Sequence, residues 1–440
     1  MRLVPSIRTT IGALILATAP VSADMFENLE VSGIAETSLA LGLSDGSLQK
    51  STVTLTPEVH FDLSSRTRVT LIGRLRSDLK DTLEPGRPDG QARATLSDRW
   101  HIGSHLEAEL REAYLDTEIG ATFLRLGKQQ IVWGQADGLK VLDVLNPQSF
   151  AEFILPDFED SRIPLWAANA EIPVGDLTLQ LIWIPDTTYD EIPEPGSAFA
   201  FTSPLIVPSA PPGVPVTFAD ADKPGNAFTD SDVAAKLSAF TGGWDLSLNY
   251  AYHYADRPVV RRIASAQGIT IRQNYERSHL LGGTFSNVFG DITVRGEIGY
   301  ATNKYFRTDD MTDQDGVVRA NDFSYVLGAD YAGFTDWFLS TQIFQSHLSK
   351  APLGLVRSGT ETRATFLARR SFMNEALLAE ALLIQSLNDG DGLLQASLVY
   401  EWRSNIRLKA GADIFYGKRD GLFGQFRNKD RISVGMEVSF

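Results

Sequence analysis

The chain has 440 residues, with 55 Asp and Glu against 40 Lys and Arg and a net charge of −15 at pH 7. This balance excludes a nucleic-acid binder, which needs a basic face. The absence of cysteine excludes a disulfide framework, a thiolate metal site and a lipid-anchored cysteine, and no segment beyond the amino terminus approaches the ~18 consecutive apolar residues of a transmembrane helix.

Residues 1–23 read as a cleaved secretory signal peptide. Arg2 and Arg8 precede the apolar run Ile11 to Ala19, and Val21-Ser22-Ala23 fits a small-residue cleavage site. Residues 24–440 then read as one domain, because no linker with a change of composition divides them.

From Leu29 onward, strands of roughly ten residues recur with apolar side chains at every second position, the period of a sheet with one dry face. Val53, Leu55, Val59, Phe61 and Leu63 alternate with Thr52, Thr54, Thr56, Glu58, His60 and Asp62. Trp244, Leu246, Leu248, Tyr250 and Tyr252 alternate with Asp245, Ser247, Asn249 and His253. Near the end, Leu394, Ala396, Leu398, Tyr400 and Trp402 oppose Gln395, Ser397 and Glu401.

Tight turns are predicted near Ser64-Ser65, Ile119-Gly120, Val174-Gly175, Gly242-Gly243, Phe289-Gly290, Phe334-Thr335, Met373-Asn374 and Ser404-Asn405. Mostly longer connections lie between them. Transmembrane barrels have that asymmetry, and aromatic residues gathered near strand ends suit their interface girdles. The last strand, Arg431 to Phe440, carries the apolar row Ile432, Val434, Met436 and Val438 and finishes on an aromatic. That ending looks like the signal by which the barrel-assembly machinery recognises its clients.

The fold class is therefore all-β, a transmembrane antiparallel β-barrel of about 18 strands in the outer membrane, with long loops folded into or over the lumen. Sixteen strands remain open if Trp337 to Leu348 and Ala376 to Leu387 fail, since the apolar residues of these two segments hold no single parity. A barrel this wide cannot be filled by its own wall side chains.

Two inserts interrupt the pattern. The first is entered from a strand in which Arg125, Gly127 and Gln129 alternate with Leu124, Leu126 and Lys128. Residues 133–163 then read as an inward-folding loop with a short apolar helix over Leu139 to Leu145, ended by Asn146-Pro147. It follows the fifth strand, where general porins fold a loop inward. Its tail carries Asp157, Glu159 and Asp160.

Wall arginines of inward parity include Arg74, Arg76, Arg295, Arg363, Arg369, Arg403 and Arg407, beside Arg125. Two readings of these charges stand together. Loop carboxylates face wall arginines across an aperture shaped by Arg125, Lys128, Gln129, Trp133 and Asp137, giving a transverse field; or the arginines pair with wall acids such as Glu107, Glu109 and Glu297 and stiffen the lumen.

The second insert, 185–228, holds nine of the 20 prolines together with Phe199, Phe201, Leu205 and Phe218. Proline at that density resists helix and sheet, and so many large apolar groups are unusual in a solvated loop. It reads as a lid over or in the barrel mouth. The six histidines stand in no metal-ligand or nucleophile signature, so no enzyme, metal or cofactor is expected.

The spine Gly127-Lys128-Gln129, Trp133-Gly134 and Asn146-Pro147, with the Pro-rich insert after it, resembles the outer-membrane family of domain of unknown function 1302. The resemblance implies a large barrel working beside a periplasmic lipid carrier and an inner-membrane exporter. The function expected is transport of a hydrophobic or amphipathic molecule, outer-membrane lipid included. A diffusion porin for small polar or anionic solutes is the first alternative; a lipid-acting barrel enzyme and an envelope scaffold are the others.

Overall fold

The computed structural model describes residues 27–86, 92–208, 213–219, 221–265, 268–310 and 312–440. The predicted signal peptide lies outside them. Eighteen antiparallel strands form the wall. The first six are β1 (Glu27–Gly42), β2 (Leu48–Ser64), β3 (Thr67–Asp78), β4 (Leu106–Ile119), β5 (Thr122–Gln129) and β6 (Leu165–Val174). Next come β7 (Leu177–Ile184), β8 (Asp232–Thr241), β9 (Trp244–Tyr254), β10 (Arg277–Phe289), β11 (Ile292–Arg307) and β12 (Val317–Tyr331). The last six are β13 (Trp337–Leu348), β14 (Thr360–Phe372), β15 (Leu377–Ser386), β16 (Gly392–Arg403), β17 (Ile406–Tyr416) and β18 (Arg431–Ser439).

Each strand pairs with its neighbour in sequence, and β1 pairs with both β2 and β18 through Ala35↔Leu55 and Ala35↔Val438. The sheet is thus a closed cylinder with no free edge between first and last strands. The chain's last residue completes the seam: Gly33 N–H donates to the Phe440 carbonyl at 2.9 Å and Phe440 N–H to the Gly33 carbonyl at 3.0 Å. Glycine lets the Phe440 ring lie close over the seam, since a Cβ at Gly33 would come within 2.7 Å of that ring and 3.1 Å of the Thr56 carbonyl.

All eight predicted tight turns join strands at one end of the barrel, and the inserts emerge at the other. The outward rows are exposed and apolar, as a wall facing hydrocarbon requires. Val31 is 66% exposed and Val434 56%, values that only an apolar surrounding makes sense of.

The two irregular segments are full strands. In β15, Leu382 and Ile384 turn inward while Leu377 and Leu383 turn outward; in β13, Phe344 and Leu348 are buried while Ile343 is exposed. Parity fails because both faces carry apolar side chains, the exposed outward row on one side and residues packed under folded-in loops on the other.

The helix expected over residues 139–145 does not form; the helix of the insert is the single turn Phe158–Ser161. Leu139 packs into one apolar cluster, whereas Val141, Leu142, Val144 and Leu145 pack into another. One helical face could not serve both. In addition, the Leu142 amide is bonded to a wall carboxylate.

Candidate functional site

Residues 130–164, here the inner loop, leave β5 and return to β6, two strands paired with each other through Gln129↔Leu165. Asn146 ties the loop's ends together: its Oδ1 accepts the Ile131 amide at 2.7 Å and its Nδ2 donates to the Ile163 carbonyl at 2.8 Å. From this base the loop crosses the lumen to the far wall.

The first landing is on β11. Glu297, 1% exposed, accepts the backbone N–H groups of Gln135, of Ala136 at 2.8 Å and of Leu142 at 3.1 Å. One carboxylate thus satisfies three loop donors that would otherwise be buried without partners. The close approach depends on Gly134, whose φ is +90° and whose absent Cβ would meet Glu297 Oε1 at 2.7 Å. Beside it Arg295 pairs with Asp137 and with Asp330 at 2.8 Å, and Gln342 of β13 accepts the Asp137 amide at 3.2 Å.

The second landing is at the β1–β18 side. Glu152, 5% exposed, is held by Lys50 Nζ at 2.6 Å and Arg431 Nη1 at 2.7 Å, and Arg431 also reaches Asp413 at 2.7 Å. Burial pushes the Glu152 carboxyl up, but the two cations outweigh it and hold it down at about 2.

Between the landings the loop is dry. Trp133, Leu142 and Leu145 pack against inward-facing Ile182, Ile184, Ala251 and Leu280 of the wall. Phe153 inserts among Phe199 of the lid, Phe415 of β17, and Phe423 and Phe426 of the 417–430 connection, its ring centroid 4.8 Å from that of Phe426. Phe153→Ala is expected to cost about 3–5 kcal/mol through the cavity left behind. Denaturation of the detergent-solubilised barrel checks this; an unchanged midpoint would mean the ring is not packed as described.

The lid enters this arrangement through its first half. The Thr202 and Ser203 amides donate to Gln425 Oε1 at 2.8 and 2.9 Å, and Ser203 Oγ to the Asp420 carbonyl at 2.6 Å. Phe199 and Phe201 belong to the aromatic cluster, with Leu205 half-buried near it. Phe218 departs from the expected lid: it is 76% exposed on the strand Val216–Phe218, which pairs with Gly268–Asn274 outside the wall. Sheet pairing there leaves it no inward face.

The predicted lumen charges are largely neutralised within the wall. Arg74 pairs with Glu109 at 2.6 Å, Arg76 with Glu107 at 2.8 Å, Arg125 with Asp116 at 2.7 Å, Arg363 with Glu361 at 2.8 Å, Arg369 with Glu380 at 2.7 Å and Arg407 with Glu437 at 3.1 Å. Arg403 stacks over Trp402 at 5.2 Å.

Asp157, Glu159 and Asp160 are exposed, and among the described residues none of their carboxylates forms an ion pair with a wall arginine; Arg111 of β4 donates to the Glu159 carbonyl and, at 3.3 Å, to the Asp160 carbonyl. The short helix turns them away from the landings, so the charge pairs between loop and wall are made by Asp137 and Glu152 instead.

Gln129 and Trp133 are likewise buried rather than lining a free aperture: Gln129 Nε2 donates to the Ala167 carbonyl at 3.1 Å and Trp133 Nε1 to Gln180 at 3.1 Å. Lys128 lies in the wall itself, 1% exposed, its Nζ donating to the Leu110 carbonyl at 2.8 Å. Its even parity on β5 points it out of the lumen. Glu297, Glu152 and Arg431 were not legible as anchors, since their partners lie more than a hundred residues away.

The family described as "Protein of unknown function (DUF1302)" matches residues 76–377. Acinetobacter baumannii OccAB2 superposes with a TM-score of 0.52 over 94% of this chain and 99% of its own, at 11% identity. Pseudomonas aeruginosa OccK9 (OpdG) gives 0.51 over 94% and 98%, at 12% identity. Salmonella typhi OmpF, solved in complex with daunomycin, gives 0.44 over 95% and 99%, at 12% identity. No curated protein matches in sequence. The fold is a closed 18-stranded barrel resembling outer-membrane porins.

Proposed function

The chain belongs to the DUF1302 family, and from that premise we propose that it is an outer-membrane transport barrel for a hydrophobic or amphipathic molecule such as a lipid, held shut by its own inner loop and lid. The observation that carries this reading is the lumen's apolar content. Inward-facing Ile182, Ile184, Leu280, Ile384, Leu393 and Phe415 are buried under loop side chains, whereas the interior of a water-filled channel is polar. When the loops withdraw, these residues offer an apolar track.

On this reading the short turns face the periplasm. The signal peptide of residues 1–23 directs export, the strand ending at Phe440 is the handle for the barrel-assembly machinery, and a periplasmic carrier and an inner-membrane exporter exchange cargo at the short-turn end.

A diffusion porin is the second reading, favoured by the polar inner rows of β2 to β4, where Thr54 faces Arg76 and His60 faces Thr70 across one ladder, and Arg74 faces Glu109 and Arg76 faces Glu107 across the next. Single-channel conductance of the refolded protein beside a variant lacking Pro193 to Lys223 separates the two. The intact protein is expected to be nearly closed and the variant open, with lipid co-purifying. Large and equal conductance in both would remove the gate and favour the porin.

A further inference from the structure

β5 is too short for the wall it stands in. Its ladder with β4 begins at Ala113↔Lys128 and runs downward from there, so residues 106–112 of β4 rise past it by roughly 23 Å of strand. Above Gln129 the chain dives inward as the inner loop. The edge of β4 left behind is covered by a flap from the β3–β4 connection, whose three-residue strand Trp100–Ile102 pairs with it through Trp100↔Ala108 and Ile102↔Leu106.

The flap has two faces. Leu96, Trp100 and Ile102 are 78%, 68% and 66% exposed, and they continue the outward apolar row of Leu75, Leu106 and Leu126. His101 points the other way, 3.8 Å from Glu107, and lines a cavity of about 20 Å³ with Arg76, Leu83 and Glu84. On its far side the flap is tied mainly to the start of the lid. Ser97 Oγ donates to Asp186 at 2.5 Å, the Ala94 amide to Thr188 Oγ1 at 3.0 Å and the Tyr189 amide to the Ala92 carbonyl at 2.8 Å, and Arg93 and Arg99 form buried ion pairs with Glu191 at 2.6 and 3.0 Å. To β6 it is joined by the bond from Trp166 Nε1 to the Leu96 carbonyl at 3.2 Å, and among the described residues by no β-ladder.

Lys128 marks what lies beneath. It has the lipid-facing parity of Leu124 and Leu126, where a bare ammonium would be costly, yet it is buried because the flap covers it. Its ammonium takes the Leu110 carbonyl that a full-length fifth strand would have paired. Among the described residues no carboxylate lies within 4.0 Å of that ammonium.

We propose that this seam is a lateral port between the outer leaflet and the lumen, through which the acyl chain of an anionic amphiphile passes while Lys128 meets its headgroup. The proposal rests on the transport reading above and specifies the substrate's route and charge. The apolar flap face is continuous with the lipid-facing wall, so the occupant comes from the bilayer. Apart from the Trp166 bond, the ties on that side, the Glu191 ion pairs included, run to the lid, so they part when the lid moves and without breaking a wall ladder.

Because the chain has no cysteine, a single one reports access cleanly. His101→Cys on the inner flap face, Ser433→Cys on the inner wall far from the seam and Val434→Cys in the outward row of the wall are each made in the protein lacking Pro193 to Lys223. Each is reconstituted in vesicles containing phosphatidylglycerol or phosphatidylcholine with a maleimide at the acyl-chain end. The expected result is labelling of His101→Cys at least tenfold faster than Ser433→Cys, faster from phosphatidylglycerol, with that preference lost on adding Lys128→Met. Loosening the seam with Ser97→Ala should raise the rate further.

Equal labelling of His101→Cys and Ser433→Cys from the lipid, while both react with a water-soluble maleimide and Val434→Cys labels from the lipid normally, would overturn the port and leave the transport reading standing. A barrel that neither conducts nor labels at any inner site would overturn both.

Discussion

Glu297→Ala is expected to release the inner loop from the far wall and turn a closed barrel into a conducting one. The substitution leaves three amide donors, those of Gln135, Ala136 and Leu142, without their acceptor in a buried place. Each unsatisfied donor costs about 1–3 kcal/mol, so docking should weaken by at least about 3 kcal/mol, roughly a hundredfold in the docked-to-undocked ratio. Water reaching the vacated space limits the loss but cannot restore the dry contact. Open probability in planar bilayers is the readout, with heat-modifiable migration showing that the wall is intact. Glu297→Gln keeps one acceptor oxygen and should fall between. A Glu297→Ala barrel that stays as closed as the parent, with the same melting midpoint, would show that the aromatic cluster alone holds the loop.

The second large effect is expected at Glu152, and it carries a pH signature. Its carboxyl is held at about 2 in the folded protein against an ordinary value of 4.5. A depressed carboxylate contributes stability that is fully present above the unfolded value and is lost as protons bind it in the folded state. The docked loop should therefore be steady above about pH 5 and loosen progressively as pH falls from about 4.5 toward 2. Arg431→Ala removes the shared cation, leaving Asp413 without it and Glu152 with Lys50 alone, and breaking a buried pair in this way typically costs about 3–5 kcal/mol. It should open the channel at neutral pH but weaken the acid response only in part, because Lys50, the larger of the two attractions, still holds the carboxylate down. Adding Lys50→Met should remove the rest; a double variant with an unaltered acid transition would assign that transition to another carboxylate.

Sequence periodicity carried the wall well. The period of two reads directly as lipid-facing and lumen-facing rows, and the turns at Gly120, Gly175, Gly242 and Gly290 have positive φ, where glycine is the residue of choice. The pairing of Arg74 with Glu109 and of Arg76 with Glu107 was open to view because neighbouring strands in sequence are neighbours in the ladder.

What periodicity could not reach were the contacts across the lumen. Glu297 bonds backbone amides, which every residue but proline carries, so no side-chain pattern announces the match. Leu142 and Phe153 find their partners on opposite parts of the wall, and an apolar run alone does not say that it will be divided. The flap strand Trp100–Ile102 is too short to show a period. One signal was present and misread: Lys128 sits in the apolar row with Leu124 and Leu126, and a charge on the lipid-facing parity of a strand asks for something that covers it.

The pairing of Ala35 with Val438 joins positions 403 apart, by 438 − 35. That rung cannot form until the other ladders have brought the two ends together, so closure is a late event in folding and the partly built sheet carries two open edges until then. Once made, the ring has no end from which to fray. Loss of the native wall must begin by tearing a complete ladder, which makes its persistence a matter of the height of that barrier and of elapsed time, more than of equilibrium.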